Sequence, residues 1–198
     1  MSRTDDPWKL LEIRRSFDCP LFTVRSDLVC HAGGAPRPYN SVRMKTDGVL
    51  ILSIDSEGCT TLVGQHRYVL GRYSWELPGG GAPRGRAALD VARAELSEET
   101  GMTADHWLQL LELPVSPGTY DELTTAFVAW GLTVRESHPE AEEQLELRRV
   151  PFRDAVQMAL RGEITHVCSV AAVLTFHARL VRGDLPADLA ALVGDVAR

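Results

Sequence analysis

The sequence predicts an α/β domain, a mixed sheet sandwiched between helices, with a small antiparallel β arm ahead of it. Three observations predict it. Apolar and polar residues alternate in short stretches between residues 8 and 45, the mark of strands with one covered face. The run Val49-Leu50-Ile51-Leu52-Ser53-Ile54 is almost continuously apolar, as a strand buried on both faces must be. Helical periodicity over residues 87–100 then gives way to strand-like stretches and two further helical ones, the order of a layered α/β fold.

The elements follow in order. The arm, residues 1–45, contains Leu10-Leu11-Glu12-Ile13-Arg14 and Leu21-Phe22-Thr23-Val24-Arg25, with a glycine- and proline-rich break over residues 31–38. Residues 49–54 and 60–67 flank an Asp-Ser-Glu-Gly turn and read as a hairpin at the heart of the sheet. A helix over residues 87–100 stops at Gly101, a residue suited to the left-handed turn that ends helices. Strands are expected at residues 108–113, 124–132 and 144–150, with the acidic stretch 136–143 between the last two. Residues 153–161 and 166–181 are helical in period and separated by Gly162. A central domain of residues 46–182 and a tail of residues 183–198, with a short helix beyond Asp184, complete the chain.

At 198 residues and 44% hydrophobic, the chain can bury one sizeable core with a small appended unit. A net charge of -6 argues against a nucleic-acid partner, which would call for a basic patch. It leaves room for a phosphorylated small molecule, whose charge bound cations would meet. Cys19, Cys30, Cys59 and Cys168 are scattered without a C-x-x-C pair and are expected as free thiols. The N-terminus has no apolar core like that of a signal peptide, and no apolar run approaches the length of a membrane span, so the cytoplasm is the expected compartment.

The chemistry concentrates in residues 80–102. On a helix, Glu98 and Glu99 fall within about 60° of Glu95, so three carboxylates share one face. Ala88, Val91 and Ala92 lie on the side of Glu95 and Glu99, while Arg86, Asp90, Arg93 and Ser97 lie opposite. An arbitrary run of glutamates is a solvated face. These continue an apolar stripe, so burying the stripe aims them into a cleft, where unpaired anions are costly. Hard divalent ions with oxygen ligands resolve the conflict, and Mg2+ or Mn2+ suits best.

The segment resembles the signature of the Nudix hydrolases: a glycine, five residues, Glu, seven residues, then Arg-Glu-apolar-x-Glu-Glu-x-Gly-apolar. Gly80, Glu95, Leu96, Glu98, Glu99, Gly101 and Met102 match in register. Arg86 stands where the family has its first Glu, and Ala94 where it has Arg, two side chains expected to pair in the family. Arg86 has two readings, a contact to a substrate phosphate near the helix start or an exposed ion pair with Asp90.

The resemblance runs from about residue 8 to 180 and is similar to the ADP-ribose and nucleoside-diphosphate-sugar pyrophosphatase branch. It is carried by Gln65-His66-Arg67-Tyr68 with Trp75-Glu76-Leu77-Pro78-Gly79-Gly80, by Ser116-Pro117-Gly118-Thr119-Tyr120-Asp121-Glu122, by the acidic loop ending at Glu143, and by the stretch from Gly162 to Ala172. It implies metal-dependent hydrolysis of a nucleoside diphosphate sugar, ADP-ribose foremost, to a nucleoside monophosphate and a sugar phosphate. The ions would sit on Glu95, Glu98, Glu99 and the Gly79 carbonyl. Glu143, with Glu142 next, would take the proton of the attacking water; the plain alternative is that these, with Glu140, are solvated loop charges. Arg67 would meet phosphates or ribose, Glu76 the substrate or metal shell, and Glu122 the sugar hydroxyls, each with a surface ion pair as its alternative. Tyr68, Tyr73, Trp75 and Phe22 would stack on a base or serve packing. The resemblance also implies a homodimer joined through the arm. Two other readings stand beside this one: a Nudix-fold module that binds a nucleotide without turnover, and a hydrolase of dinucleoside polyphosphates, nucleoside triphosphates or capped RNA.

Overall fold

A computed structural model describes residues 6–134 and 145–194. The chain divides into two compact units, one formed by residues up to Asp47 with Pro114–Leu123, the other by Gly48–Leu113 with the residues from Thr124 onward.

The first unit is the arm. Strands β1 (Trp8–Asp18), β2 (Phe22–His31) and β3 (Arg37–Met44) form an antiparallel sheet in the order β1-β2-β3, with irregularities in β1 after Leu10 and Ile13. Trp8 packs edge-on against His31 and Tyr39, and the Arg37 guanidinium lies 5.3 Å from its ring centre. The segment Pro114–Leu123 belongs here because its backbone and side chains bond β3: the Val42 N–H donates to Thr119 O at 2.9 Å and the Tyr39 hydroxyl to Gly118 O at 3.0 Å. The Asp121 carboxylate accepts the Met44 N–H at 2.8 Å. Leu10, Ile13, Phe17 and Leu21 remain more than half exposed on this unit.

The second unit is built on a sheet in the order β7-β4-β9-β8, from β4 (Thr46–Ile54), β7 (Gly79–Pro83), β8 (Met102–Pro114) and β9 (Leu123–Val134). β4 and β9 run parallel from Gly48↔Thr124 to Ile54↔Trp130. Val49 and Ile51 face helix α1 (Ala88–Thr100), packing with Val91, Ala92, Leu96, Phe127 and Ala129. Leu50, Leu52 and Ile54, of the opposite parity, are buried as well, so the apolar run of β4 is covered on both faces as its composition requires.

A second sheet, β10-β5-β6, holds β5 (Cys59–Arg67), β6 (Arg72–Glu76) and β10 (Glu146–Pro151), all antiparallel. The expected hairpin of residues 49–54 with 60–67 does not form. Its turn exists, with Asp55 accepting the Gly58 N–H on its backbone and the Glu57 and Cys59 N–H groups on its side chain, and Gly58 at φ 70°. The strands then part, because both edges of β4 are taken by β7 and β9, and β5 pairs with β6 and β10.

Helices α2 (Phe152–Leu160) and α3 (Val167–Arg182) pack on each other, with the Phe152 and Phe176 rings T-shaped at 4.8 Å. α2 also contacts β5 and β10. The short α4 (Ala187–Val193) buries Leu189. α1 stops where expected, with Gly101 at φ 68° and its N–H on Ser97 O at 2.9 Å. β8 begins at Met102 rather than at residue 108, since Ala104 and Trp107 pack on the α1 core despite the polar residues around them. The α/β fold with helices on a central sheet and an antiparallel arm is the one the sequence predicts. All four cysteines are free thiols, and among the described residues no helix is long and apolar enough to cross a membrane.

Candidate active site

α1 brings its acidic turn up to the glycines of β7. Glu99, on the buried stripe with Val91, Ala92 and Leu96, is only 9% exposed, and its Oε2 accepts the Gly79 N–H at 2.9 Å. Glu95 is half-buried, and its carboxylate lies against Gly80 where a side chain at that residue would have to stand. The two glycines are therefore bare for different reasons. At Gly80 a Cβ would meet the Glu95 carboxylate, whereas at Gly79 it would run into the Val49 carbonyl of β4. Glu98 is exposed, so the three carboxylates differ in depth along one helical turn. Among the described residues no three acidic, His or Cys side chains close round an ion position by themselves. The carboxylates of Glu95 and Glu99 and the carbonyl of Gly79 are all hard oxygen donors, the type that Mg2+ or Mn2+ binds while keeping water or phosphate in the rest of its shell.

β5 and β6 carry the second cluster. Their register pairs Val63 with Glu76 and Arg67 with Arg72, and the long Arg67 side chain reaches back to Glu76. It donates from Nε to Oε1 at 3.0 Å and from Nη2 to Oε2 at 2.6 Å, a two-pronged pair. Glu76 is 4% exposed, and burial alone would favour its neutral acid. The Arg67 hydrogen bonds, the charge of His166 once its ring is protonated in acid, the Arg67 charge and the Ser74 hydrogen bond outweigh burial and hold the carboxyl below its ordinary pKa. Beside the pair, His166 Nδ1 lies 2.9 Å from Ser169 Oγ, and Ser169 Oγ accepts the Leu77 N–H at 3.0 Å. Arg67, Arg72, Glu76, Thr165 and His166 line a cavity of about 410 Å³.

Alternation along β6 sends Tyr73 and Trp75 to the other face. There the two rings pack T-shaped at 5.6 Å over Gly64, whose missing side chain leaves room for both. Arg148 covers Trp75 at 5.6 Å, and the Tyr73 hydroxyl donates to Glu146 at 2.7 Å. Tyr68, in a 3-10 turn at Tyr68–Leu70, is 94% exposed.

In the first unit, residues 117–123 with Tyr39 and Arg43 line a cavity of about 380 Å³. Glu122 lies on it, and burial, reinforced by the charge of Asp47, pushes its carboxyl above the usual range. Phe22 is half-buried at the start of β2.

The predicted residues thus meet in pairs: Glu99 with Gly79, Glu95 with Gly80, and Arg67 with Glu76. Glu142 and Glu143, with Glu140, lie outside the described residues. The ion pair expected between Arg86 and Asp90 is not the one formed. α1 starts only at Ala88, Arg86 sits in the preceding turn with its N–H on Pro83 O, and Asp90 pairs with Arg93 at 3.5 Å. Sequence reasoning passed over His166 and Ser169; the one signal they offered was an imidazole at the predicted start of a helix.

A glycine turn set against the carboxylates of the helix that follows it, on an α/β core, defines the class of fold. A family model of the NUDIX domain matches residues 44–172, and the chain belongs to the Nudix family. It is similar to the ADP-ribose pyrophosphatase of Mycobacterium tuberculosis (strain ATCC 25618 / H37Rv), 36% identical over 167 residues that cover 80% of this chain and 77% of the relative. It is similar also to the ADP-ribose pyrophosphatase of Bacillus subtilis (strain 168), 33% identical over 118 residues, 59% of this chain and 64% of the relative. A crystal structure of an ADP compounds hydrolase shares the fold with a TM-score of 0.81 at 20% identity, covering 92% of this chain and 98% of that one.

Proposed function

We propose that this chain is a Nudix pyrophosphohydrolase that splits the diphosphate of a nucleoside diphosphate sugar, ADP-ribose foremost, into a nucleoside monophosphate and a sugar phosphate. The observation that carries the reading is the inward turn of the acidic helix: Glu99 is buried on the Gly79 N–H and Glu95 is set against Gly80. Glu95, Glu98, Glu99 and the Gly79 carbonyl would hold Mg2+ or Mn2+. Bound there, a divalent ion would neutralise the phosphates and lower the pKa of water.

The protein's own groups do the rest. Arg67, oriented by Glu76, would meet phosphate or ribose oxygens through its guanidinium. Glu122 accepts sugar hydroxyls. Water attacks one phosphorus, the bridging P–O bond breaks, and the bridging oxygen leaves with the other phosphate. Glu143, with Glu142 as the second choice, takes the proton of that water. The free cysteines suit a cytoplasmic setting. The exposed apolar side chains of β1 support a homodimer joined through the arm.

The test is a panel of nucleotide sugars, dinucleotides and nucleoside triphosphates offered with Mg2+ or Mn2+, with monophosphate and free phosphate release measured. Highest kcat/KM on ADP-ribose is the expected result; tight binding without turnover of any compound selects the sensor reading, which the residues at Arg86 and Ala94 favour.

A further inference from the structure

α3 begins at a residue poorly suited to begin a helix. His166 is its N-cap, extended at φ -65° and ψ 114°, and its side chain caps no backbone N–H, the task that Ser, Thr, Asp and Asn perform well. The imidazole is engaged elsewhere. Its Nδ1 lies 2.9 Å from Ser169 Oγ and 3.6 Å from Glu76 Oε2. Ser169 is fully buried, and its oxygen already accepts the Leu77 N–H. Its own proton is left to give, and the Nδ1 lone pair of a neutral imidazole is the acceptor in reach. A chain of bonds thus runs from the backbone just after Glu76, through Ser169, to a ring lying beside the Glu76 carboxylate.

The oxygen that faces the ring, Glu76 Oε2, is also the one that accepts the 2.6 Å bond from Arg67. A neutral ring makes no ion pair with that oxygen, so the carboxylate stays with the guanidinium. His166 lines one cavity with Arg67 from β5, Arg72, Ser74 and Glu76 from β6, and Thr165, while the ring itself lies against Ser169 and Glu76. Burial disfavours the imidazolium and outweighs the pull of Glu76, and the charge of Arg67 adds to the lowering. The parallel bridge between Trp75 and Ile164 sets this segment beside β6.

We propose that His166 is a positioning residue for Arg67: an imidazole locked by Ser169 that walls in the Glu76 carboxylate and so fixes the direction in which the Arg67 guanidinium, held on Glu76 by two bonds, faces the diphosphate. The proposal rests on the reading of Arg67 as the group that binds phosphate or ribose.

The experiment combines kinetics on ADP-ribose with nitrogen NMR of the full chain. His166→Ala should raise KM about tenfold while changing kcat by less than about threefold, since ground-state and transition-state binding are lost together. His166→Asn, whose amide oxygen can accept the Ser169 hydroxyl, should recover most of that loss. In an Arg67→Ala background His166→Ala should change nothing further, because its effect passes through Arg67. The His166 Nδ1 resonance should be that of an unprotonated nitrogen, and the Arg67 Nε–H signal should broaden in His166→Ala. An unchanged KM, losses that multiply in the double variant, a protonated Nδ1 or an unaltered Arg67 signal would each overturn the proposal. Absence of turnover by the wild type would count against the substrate reading alone, and the two NMR signals would then decide the role of His166.

Discussion

The carboxylate of Glu95 occupies the space that a side chain at residue 80 would need, so the bare Cα of Gly80 and the position of that acid are one arrangement. Gly80→Ala should therefore damage function more than fold. A carboxylate at the end of a flexible side chain can swing aside, and the variant should melt close to the wild type while kcat falls at least about tenfold, roughly 1.4 kcal/mol of lost transition-state stabilisation. Gly79→Ala should do the reverse in emphasis, because its methyl meets the Val49 carbonyl and a strand backbone cannot step aside. Overpacking of this kind costs about 1–3 kcal/mol. Thermal melting and steady-state kinetics on both variants check the contrast; a Gly80→Ala protein that unfolds early but retains full turnover would contradict it.

Glu99→Gln separates charge from hydrogen bonding. The amide oxygen can still accept the Gly79 N–H, so the glycine turn should keep its place. What disappears is a negative oxygen donor for a divalent ion, and turnover should fall roughly a hundredfold or more with only a small change in melting temperature. Loss of Mn2+ binding by calorimetry should accompany it. Unchanged activity would remove Glu99 from the metal site.

These two residues were legible in the sequence because helical periodicity is local: Glu95 and Glu99 fall on the stripe of Val91 and Ala92 whatever the rest of the chain does. The β4–β5 connection was not, since an Asp-Ser-Glu-Gly turn reads the same whether its flanking strands pair or part, and partner choice depends on β7 and β9 far along the chain. The pairing of Arg67 with Glu76 needed the register of β5 on β6, which two surface-looking charges do not announce. His166 was beyond reach because its hydrogen-bond chain ends on Leu77, 92 positions from Ser169.

Glu76 makes stability depend on pH in a predictable direction. Its folded pKa lies below the ordinary value, so the unfolded chain takes up a proton first as pH falls. The stabilisation is present above the unfolded pKa of about 4.3 and is lost as pH drops through the folded value. The gap in melting temperature between the wild type and Glu76→Gln should be widest near neutrality and close as the pH falls from about 5 toward 3. A gap that stays constant over that range would mean the Arg67 pair contributes nothing through charge.

The arm should hold two copies together. Leu10, Ile13 and Phe17 are 53%, 55% and 62% exposed on β1, more apolar surface than one strand leaves to water without a use for it. Size-exclusion chromatography with light scattering should give twice the chain mass at micromolar concentration, and Ile13→Glu with Phe17→Glu should give a folded monomer. A strict wild-type monomer would remove the homodimer.

Glu122 carries the opposite sign from Glu76. Burial and then Asp47 raise its folded pKa, so folding favours the protonated form over the ionised one, and that contribution, complete below the unfolded pKa, is lost as pH rises through the folded value. Near pH 7 the ionised, half-buried carboxylate is therefore a burden on the first unit that an uncharged amide would not impose. Glu122→Gln should raise the melting temperature at neutral pH by a degree or two, about 0.5 kcal/mol, and leave it unchanged below about pH 4. If the residue accepts sugar hydroxyls, the same variant should bind ADP-ribose more weakly, because an amide is a poorer acceptor than a carboxylate. A stabilised protein with a raised KM is the expected pair of results, the signature of a charge kept at a site for its ligand rather than for the fold. A stabilised protein with an unchanged KM would take Glu122 out of the substrate site, and a destabilised one would show that its charge has a partner in this unit.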